Sequence, residues 1–196
     1  MARTAIALCI TVSSPSVSFA ADIRSIPCKK DGIEELESLF PYGYFNLYVK
    51  NFEGVPDYVI EYYQKCGGTL TFTTNKLDDS ETILGLYHPN THNIELRLYS
   101  NYILLYGSEL YSVPAHEFGH FIYDMSRYDA DWTEEMNNAV KNEFAKRSLE
   151  NTACTDMHET FAYAYTDYLN RPWNLSSEMK QTIEKSLAII KKLNGG

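Results

Sequence analysis

The feature that most constrains the fold of this 196-residue chain is a pair of histidines, His116 and His120, separated by three residues. Side chains at positions i and i+4 share one direction on an α-helix, where they lie about one turn apart. The pair therefore predicts a helix, and both imidazoles can then reach one metal ion. The alternative is a surface helix on which Glu117 and His120 form an ordinary i, i+3 contact.

Glu117 follows the first histidine and lies about 100° around the helix from it. A carboxylate in this position can contact a water molecule on the metal without binding the metal itself. Zn2+ lowers the pKa of a bound water toward ~7, and a nearby glutamate can accept the water's proton during attack on a carbonyl carbon. The segment His116-Glu117-Phe118-Gly119-His120 is thus typical of a zinc hydrolase, with Glu117 as the general base.

A catalytic zinc site normally has three protein ligands and one open position, so a third ligand must lie elsewhere. Tyr123 and Ser126 stand where an extended motif would have a glycine and a third histidine. The downstream candidates are Glu159, His158 and Asp156. Because Asp156 and Glu159 are also spaced as a capping box at a helix N-terminus, spacing alone leaves the third ligand open.

The amino-terminal segment has the organisation of a secretory signal. Arg3 supplies positive charge, residues 5–12 form a short apolar run, and Ser18-Phe19-Ala20 provides small residues at a cleavage position. The run is shorter than the ~20 apolar residues that span a bilayer, and no later segment is apolar enough for an anchor. We expect a signal peptide at 1–20 and one secreted domain at 21–196; the alternative for the segment is a first strand or helix of the fold.

The net charge argues against a nucleic-acid-binding protein, and the cysteines argue against a cysteine-based zinc site. The net charge of −9 and the pI near 5.0 argue against nucleic-acid binding, which needs clustered Lys and Arg. Removal of the signal would take Cys9 with it and leave an odd number of cysteines, which permits one disulfide at most. Their spacing matches no cysteine-based zinc site. These cysteines are Cys28, Cys66 and Cys154.

The order of the predicted elements indicates an α+β fold with a small sheet of three to four strands followed by a mainly helical part. Apolar residues at helical spacing predict helices over 33–40, after Asp31 as N-cap, and over about 56–66. Alternating or β-branched residues predict strands over 69–74, 82–87 and 94–99. Helices are then predicted over about 115–125, 131–149, 156–169 and 177–193, with Ser112, Asp131 and Asp156 capping the first three.

From about residue 85 to residue 193, the chain resembles the zinc peptidase domain of anthrax lethal factor and the related Pro-Pro endopeptidases. The features that carry the resemblance are Gly85-Leu86-Tyr87 with Ile94-Glu95-Leu96, the histidine motif, and Glu159-Thr160-Phe161-Ala162-Tyr163-Ala164-Tyr165. In that family the glutamate of the last segment is the third zinc ligand. The resemblance therefore implies a zincin-like fold in which His116, His120 and Glu159 bind one Zn2+.

The resemblance further implies a secreted zinc endopeptidase that acts on a polypeptide substrate, for which Pro-containing segments are one candidate class. We expect the substrate to lie extended along the strand at 94–99 through main-chain hydrogen bonds. One position departs from the family. A tyrosine seven residues before the ligand glutamate helps to stabilise the oxyanion there, whereas Thr152 stands at that position here. Since losing one such donor typically costs ~10²-fold in rate, the alternative is a secreted zinc-binding interaction or toxin-like module with little turnover.

Several side chains near the motif have two interpretations. Asp124 lies one turn after His120 and could accept a hydrogen bond from it, or it could be a surface carboxylate. His88 and His92 flank a predicted turn and are expected to be exposed. Aromatic residues of the downstream segment could line a substrate cleft or be divided between core and surface: Phe161, Tyr163 and Tyr165.

Overall fold

The computed structural model describes residues 26–31, 52, 54–80, 82–98, 112–149 and 155–195. The predicted signal segment, the predicted helix over 33–40, Thr152 and Cys154 lie outside the described residues. The elements, numbered here in chain order, are β1 (Cys28–Asp31), α1 (Asp57–Lys65), β2 (Thr69–Thr73), β3 (Gly85–His88), β4 (Asn93–Arg97), α2 (Val113–Arg127), α3 (Glu134–Leu149), α4 (Met157–Asn170), a 3₁₀ turn (Pro172–Asn174) and α5 (Ser177–Leu193).

Within the described residues, the strands form a four-stranded mixed sheet in the order β1-β2-β4-β3. β2 pairs in parallel with both β1 and β4, and β3 pairs antiparallel with β4. Successive side chains alternate between faces, so one face of the two central strands is apolar and buried. That face carries Leu70, Phe72, Ile94 and Leu96. The small sheet and the helical carboxyl-terminal part confirm the predicted α+β class.

The position of β4 corrects one expectation about substrate binding. A substrate can extend a sheet only at an edge strand, where backbone groups are unpaired. β4 lies between β2 and β3 and is hydrogen-bonded on both sides, so the prediction that a substrate runs along 94–99 is wrong for Asn93–Arg97. Within the part of the chain that the structure describes, β3 is the edge strand that lies against α2.

The helices pack around α2, which contacts β3 on one side and both α4 and α5 on the other. The inner side of α2 is apolar, with Phe118, Phe121 and Ile122 completely buried. Phe118 and Phe121 each meet the ring of Tyr63 from α1 edge to face, with centroids 5.0 Å apart. These contacts fix α2 between the sheet and the other helices. No helix among the described residues is long and apolar enough to cross a bilayer.

The described helix starts test three of the capping predictions. Ser112 occupies the N-cap position of α2, but its side chain makes no capping hydrogen bond. The Asp156 side chain accepts a hydrogen bond from the Glu159 backbone N–H at 3.0 Å, as predicted for the start of α4. At α3 the cap is Thr133, whose hydroxyl accepts from the Met136 N–H at 3.3 Å. The prediction of Asp131 as this cap is wrong, because the helix begins only at Glu134 and Asp131 lies in the preceding turn.

Candidate metal centre

Helices α2 and α4 bring together the two motif histidines and Glu159. His116 Nε2 lies 3.2 Å from Glu159 Oε2, and His120 Nε2 lies 3.4 Å from Glu159 Oε1. One ligand atom from each of the three residues lies within 4.8 Å of the other two. Each side chain is partly or largely shielded from solvent, since the two histidines are 16% and 11% exposed and the glutamate is 32% exposed.

The spacing and chemistry of this cluster fit a zinc ion. Ligand atoms about 2.0–2.1 Å from a tetrahedral Zn2+ are roughly 3.3–3.4 Å apart, close to the two nitrogen–oxygen separations. Direct hydrogen bonds from the imidazoles to the carboxylate would give similar separations, so the donor set matters more than the distances. Two imidazoles and one carboxylate are a ligand set that catalytic zinc sites use.

Glu159 lies in the first turn of α4, where the sequence left two roles open for its side chain. Its backbone N–H donates to Asp156, which is one half of a capping box. Its carboxylate instead faces His116 and His120 on the neighbouring helix. The helix therefore uses the backbone of this residue for capping and leaves its side chain for the histidine cluster.

The two rival ligands, His158 and Asp156, lie outside the cluster. His158 Nδ1 is 3.4 Å from Asp124 Oδ1, and its ring is 6.4 Å from the ring of His120. Asp156 is engaged as the cap of α4. Asp124 is 12% exposed and contacts His158 rather than serving as a freely solvated surface carboxylate.

The cluster perturbs the acidity of its members. Hydrogen bonds with His116 and His120 hold the pKa of Glu159 well below its usual range. Burial lowers the pKa of His120, but the hydrogen bond to Glu159 and the charges of Glu117 and Glu159 outweigh burial and raise that pKa overall. In the metal-free protein, the site therefore favours an ionised carboxylate beside protonated imidazole, and a bound cation would replace the proton.

Glu117 is buried against the sheet, with 3% of its surface exposed. Burial raises its pKa, and the positive charge of the two motif histidines and a backbone hydrogen bond from Tyr87 only partly oppose that effect. The nearest strand is β3, where Gly85 approaches the carboxylate directly. A buried carboxylate of raised pKa next to a candidate metal site is suited to accepting and releasing a proton.

The aromatic residues of α4 are divided between two environments. Phe161 and Tyr165 are completely buried in the core. Tyr163 is only partly buried and its ring lies 4.5 Å from the ring of His116. Sequence reasoning named Tyr163 only as one of three aromatic residues that could line a substrate cleft. Its i+4 spacing from Glu159 places both side chains on one face of the helix.

The environment of His92 also differs from the prediction. His92 is partly buried, its Nδ1 lies 2.8 Å from the Tyr87 hydroxyl, and its ring packs 5.8 Å from that of Phe121. The prediction of an exposed side chain is wrong because the β3–β4 turn folds onto α2. The His88 side chain is 41% exposed, which is closer to the predicted exposure, and its Nε2 lies 3.4 Å from Glu95 Oε1.

The fold and the cluster thus define an α+β protein with a two-histidine, one-glutamate site between two helices. No protein family matches the sequence, and no curated protein matches it either. Among solved structures, the fold is similar to that of the Pro-Pro endopeptidase PPEP-2 from Paenibacillus alvei, with a TM-score of 0.50 and 16% sequence identity. The alignment covers 88% of this chain and 97% of that chain. At this identity the likeness establishes the fold alone.

Proposed function

We propose that this chain is a secreted, single-domain zinc endopeptidase. The observation that carries the proposal is the meeting of His116, His120 and Glu159 within 4.8 Å, next to the buried carboxylate of Glu117. A site that only stored or sensed zinc would have no need of a base beside the metal. The fold likeness to a Pro-Pro endopeptidase supports the same class of activity.

In this proposal the metal ligands, the general base and Tyr163 have separate tasks. His116, His120 and Glu159 hold the ion, which when bound would supply a water of lowered pKa and a positive charge for the carbonyl oxygen. Glu117 accepts one proton from the attacking water and returns it to the amine nitrogen as the carbon–nitrogen bond breaks. Tyr163 supports the ring of His116 by edge-to-face contact at 4.5 Å.

The substrate we propose is an extended polypeptide that adds to the edge of the sheet at β3. Edge-strand addition uses main-chain hydrogen bonds and therefore accepts many sequences. β3 is suited to this role because it is the edge strand that contacts α2, the helix of the histidine motif. Pro-containing segments remain the candidate class, by analogy with the similar peptidase fold.

The second candidate function is a secreted zinc-binding interaction or toxin-like module with little turnover. Thr152 favours it, since the resembling family has an oxyanion-stabilising tyrosine at this position. The buried Glu117 favours catalysis instead, because burying a carboxylate without a function is costly. Secretion in either case is proposed from the amino-terminal signal sequence.

Cleavage of a degenerate peptide library, followed by mass spectrometry, tests the proposal. The mature protein, the same protein with a zinc chelator, and Glu117→Gln are compared; Glu135→Gln on the exposed side of α3 is the matched control. Cuts that require both metal and Glu117, and that persist in the control, are the expected result. If the protein binds zinc stoichiometrically but makes no such cuts, the peptidase proposal is wrong and the zinc-binding module is favoured.

A further inference from the structure

We propose that Gly85 is the positioning residue for Glu117: the missing side chain at this position creates the space that the catalytic carboxylate occupies. The inference rests on the proposed function for its catalytic meaning. The contact itself is independent of any activity. No other residue type at position 85 would leave the carboxylate where it lies.

The steric argument comes from the distances around Gly85. A Cβ added there would overlap Glu117 Oε1, and it would lie 2.8 Å from Glu117 Cδ and 2.7 Å from Val113 Cγ1. Real Cβ atoms essentially never come closer than 3.0 Å to such neighbours. Even alanine therefore cannot be added unless either the carboxylate or the strand moves.

The strand is held in place by its pairing. Gly85 is in register with Leu96 of β4, and the preceding residue, Leu84, accepts a hydrogen bond from the Arg97 N–H at 2.8 Å. β4 is itself paired with β2 on its other side. A shift of Gly85 away from α2 would therefore disturb the hydrogen bonds between β3 and β4, which is costly.

Helix α2 is held just as firmly. It is packed against β3, α4 and α5, and its apolar residues Phe118 and Phe121 are completely buried. The Glu117 side chain, by contrast, has several rotatable bonds, so its carboxylate end can turn away from a close contact. An added methyl group at position 85 should therefore turn the carboxylate away and leave the helix and its histidines in place.

Two consequences separate this role from a general structural one. If only the carboxylate turns, kcat falls while KM and zinc affinity are nearly unchanged. If the whole helix moves, His116 and His120 move with it, and zinc affinity falls as well. The proposal requires the first pattern.

The activity test uses Gly85→Ala, Glu117→Asp and the double variant, all in a Val113→Ala background that removes the second close contact. We expect Gly85→Ala to reduce kcat by about 10²-fold or more, the usual contribution of a general base, with unchanged zinc content. The side chain in Glu117→Asp is one methylene shorter and leaves room for the added methyl group. Adding Gly85→Ala to Glu117→Asp should therefore reduce kcat by much less than about 10²-fold. Equal losses in both backgrounds, or a loss of zinc affinity, would overturn the proposal. Gly54→Ala is the control, since its nearest neighbour is a leucine methyl at 3.2 Å.

A stability measurement tests the contact without requiring turnover. In the same Val113→Ala background, Gly85→Ala should lower the melting temperature by roughly 3–8 °C when Glu117 is present and by clearly less when Glu117 is alanine. Absence of this coupling would overturn the proposal whether or not the protein cuts peptides. A chain that shows the coupling but no metal-dependent cleavage would contradict the proposed function alone.

Discussion

Gly119 lies against the backbone of Ala162: a Cβ at position 119 would be 2.7 Å from Ala162 Cα and 3.3 Å from its carbonyl oxygen. Gly119 is on α2 between the two motif histidines, and Ala162 is on α4 one turn after Glu159. Because the nearest atom belongs to the backbone, no side-chain rotation can relieve the contact. The glycine therefore sets how closely the two ligand-bearing helices approach.

We predict that Gly119→Ala separates α2 from α4 and weakens both stability and zinc binding. Overpacking a core typically costs ~1–3 kcal/mol, and the better helix propensity of alanine offsets about 1 kcal/mol of that. Zinc affinity should fall by about tenfold or more, because Glu159 moves relative to His116 and His120. Urea unfolding of the metal-free protein and a zinc competition titration measure the two effects. Unchanged zinc affinity would show that the spacing of these helices does not set the site geometry.

We next predict that zinc stabilises the fold and that this stabilisation depends on Glu159. A ligand at a thousandfold excess over its Kd contributes about 4 kcal/mol, which raises the melting temperature of a chain of this size by roughly 8–16 °C. Glu159→Gln should remove most of the difference between zinc-loaded and chelator-treated protein. His158→Ala is the control, since His158 lies outside the ligand cluster and should leave the difference intact. If His158→Ala removes the difference and Glu159→Gln leaves it intact, the third ligand is His158.

The sequence was most informative about features that depend on neighbouring residues, although the cap of α3 was predicted at Asp131 and lies at Thr133. The spacing of His116 and His120 predicted their shared helix face, and the last helix was predicted over the range that the structure has, Ser177–Leu193. Glu159 was a harder case, because spacing also allowed a capping role and only the resemblance favoured the metal site. The structure gives its backbone the first role and directs its side chain to the histidines.

Features that depend on distant contacts were not predicted. β1 has the sequence Cys-Lys-Lys-Asp, which carries no strand pattern, and it is a strand only because it pairs with β2. The interior position of β4 likewise follows from its pairing with β2 and β3. The steric roles of Gly85 and Gly119 depend on side chains and backbone from other elements, so the motif alone gives no sign of them.

A third prediction concerns the buried charges between α3 and α4. Arg147 donates to Glu143 at 2.9 Å and to Asp167 at 2.8 Å, and these carboxylates belong to residues only 2% and 7% exposed. Arg147→Met should therefore cost about 3–5 kcal/mol, because it leaves two buried carboxylates without their main cation. Urea unfolding measures the loss. Lys185→Met, which removes an exposed pair with Glu135, is the control and should cost at most about 1 kcal/mol. Comparable losses in the two variants would contradict the burial argument.

The last prediction concerns the reactivity of Cys66, which is the C-cap residue of α1 and forms no disulfide with Cys28. Burial raises the pKa of the Cys66 thiol, and a hydrogen bond with Tyr62 only partly opposes that effect. Because the thiolate is the reactive form, alkylation of Cys66 by iodoacetamide should be slower than that of a cysteine in an unstructured peptide at the same pH, and its midpoint should lie at a higher pH. Mass spectrometry of the peptide that contains Cys66 measures the rate at each pH. Tyr62→Phe should move the midpoint still higher, since it removes the hydrogen bond that favours the thiolate; a lower midpoint in that variant would contradict the assigned role of Tyr62.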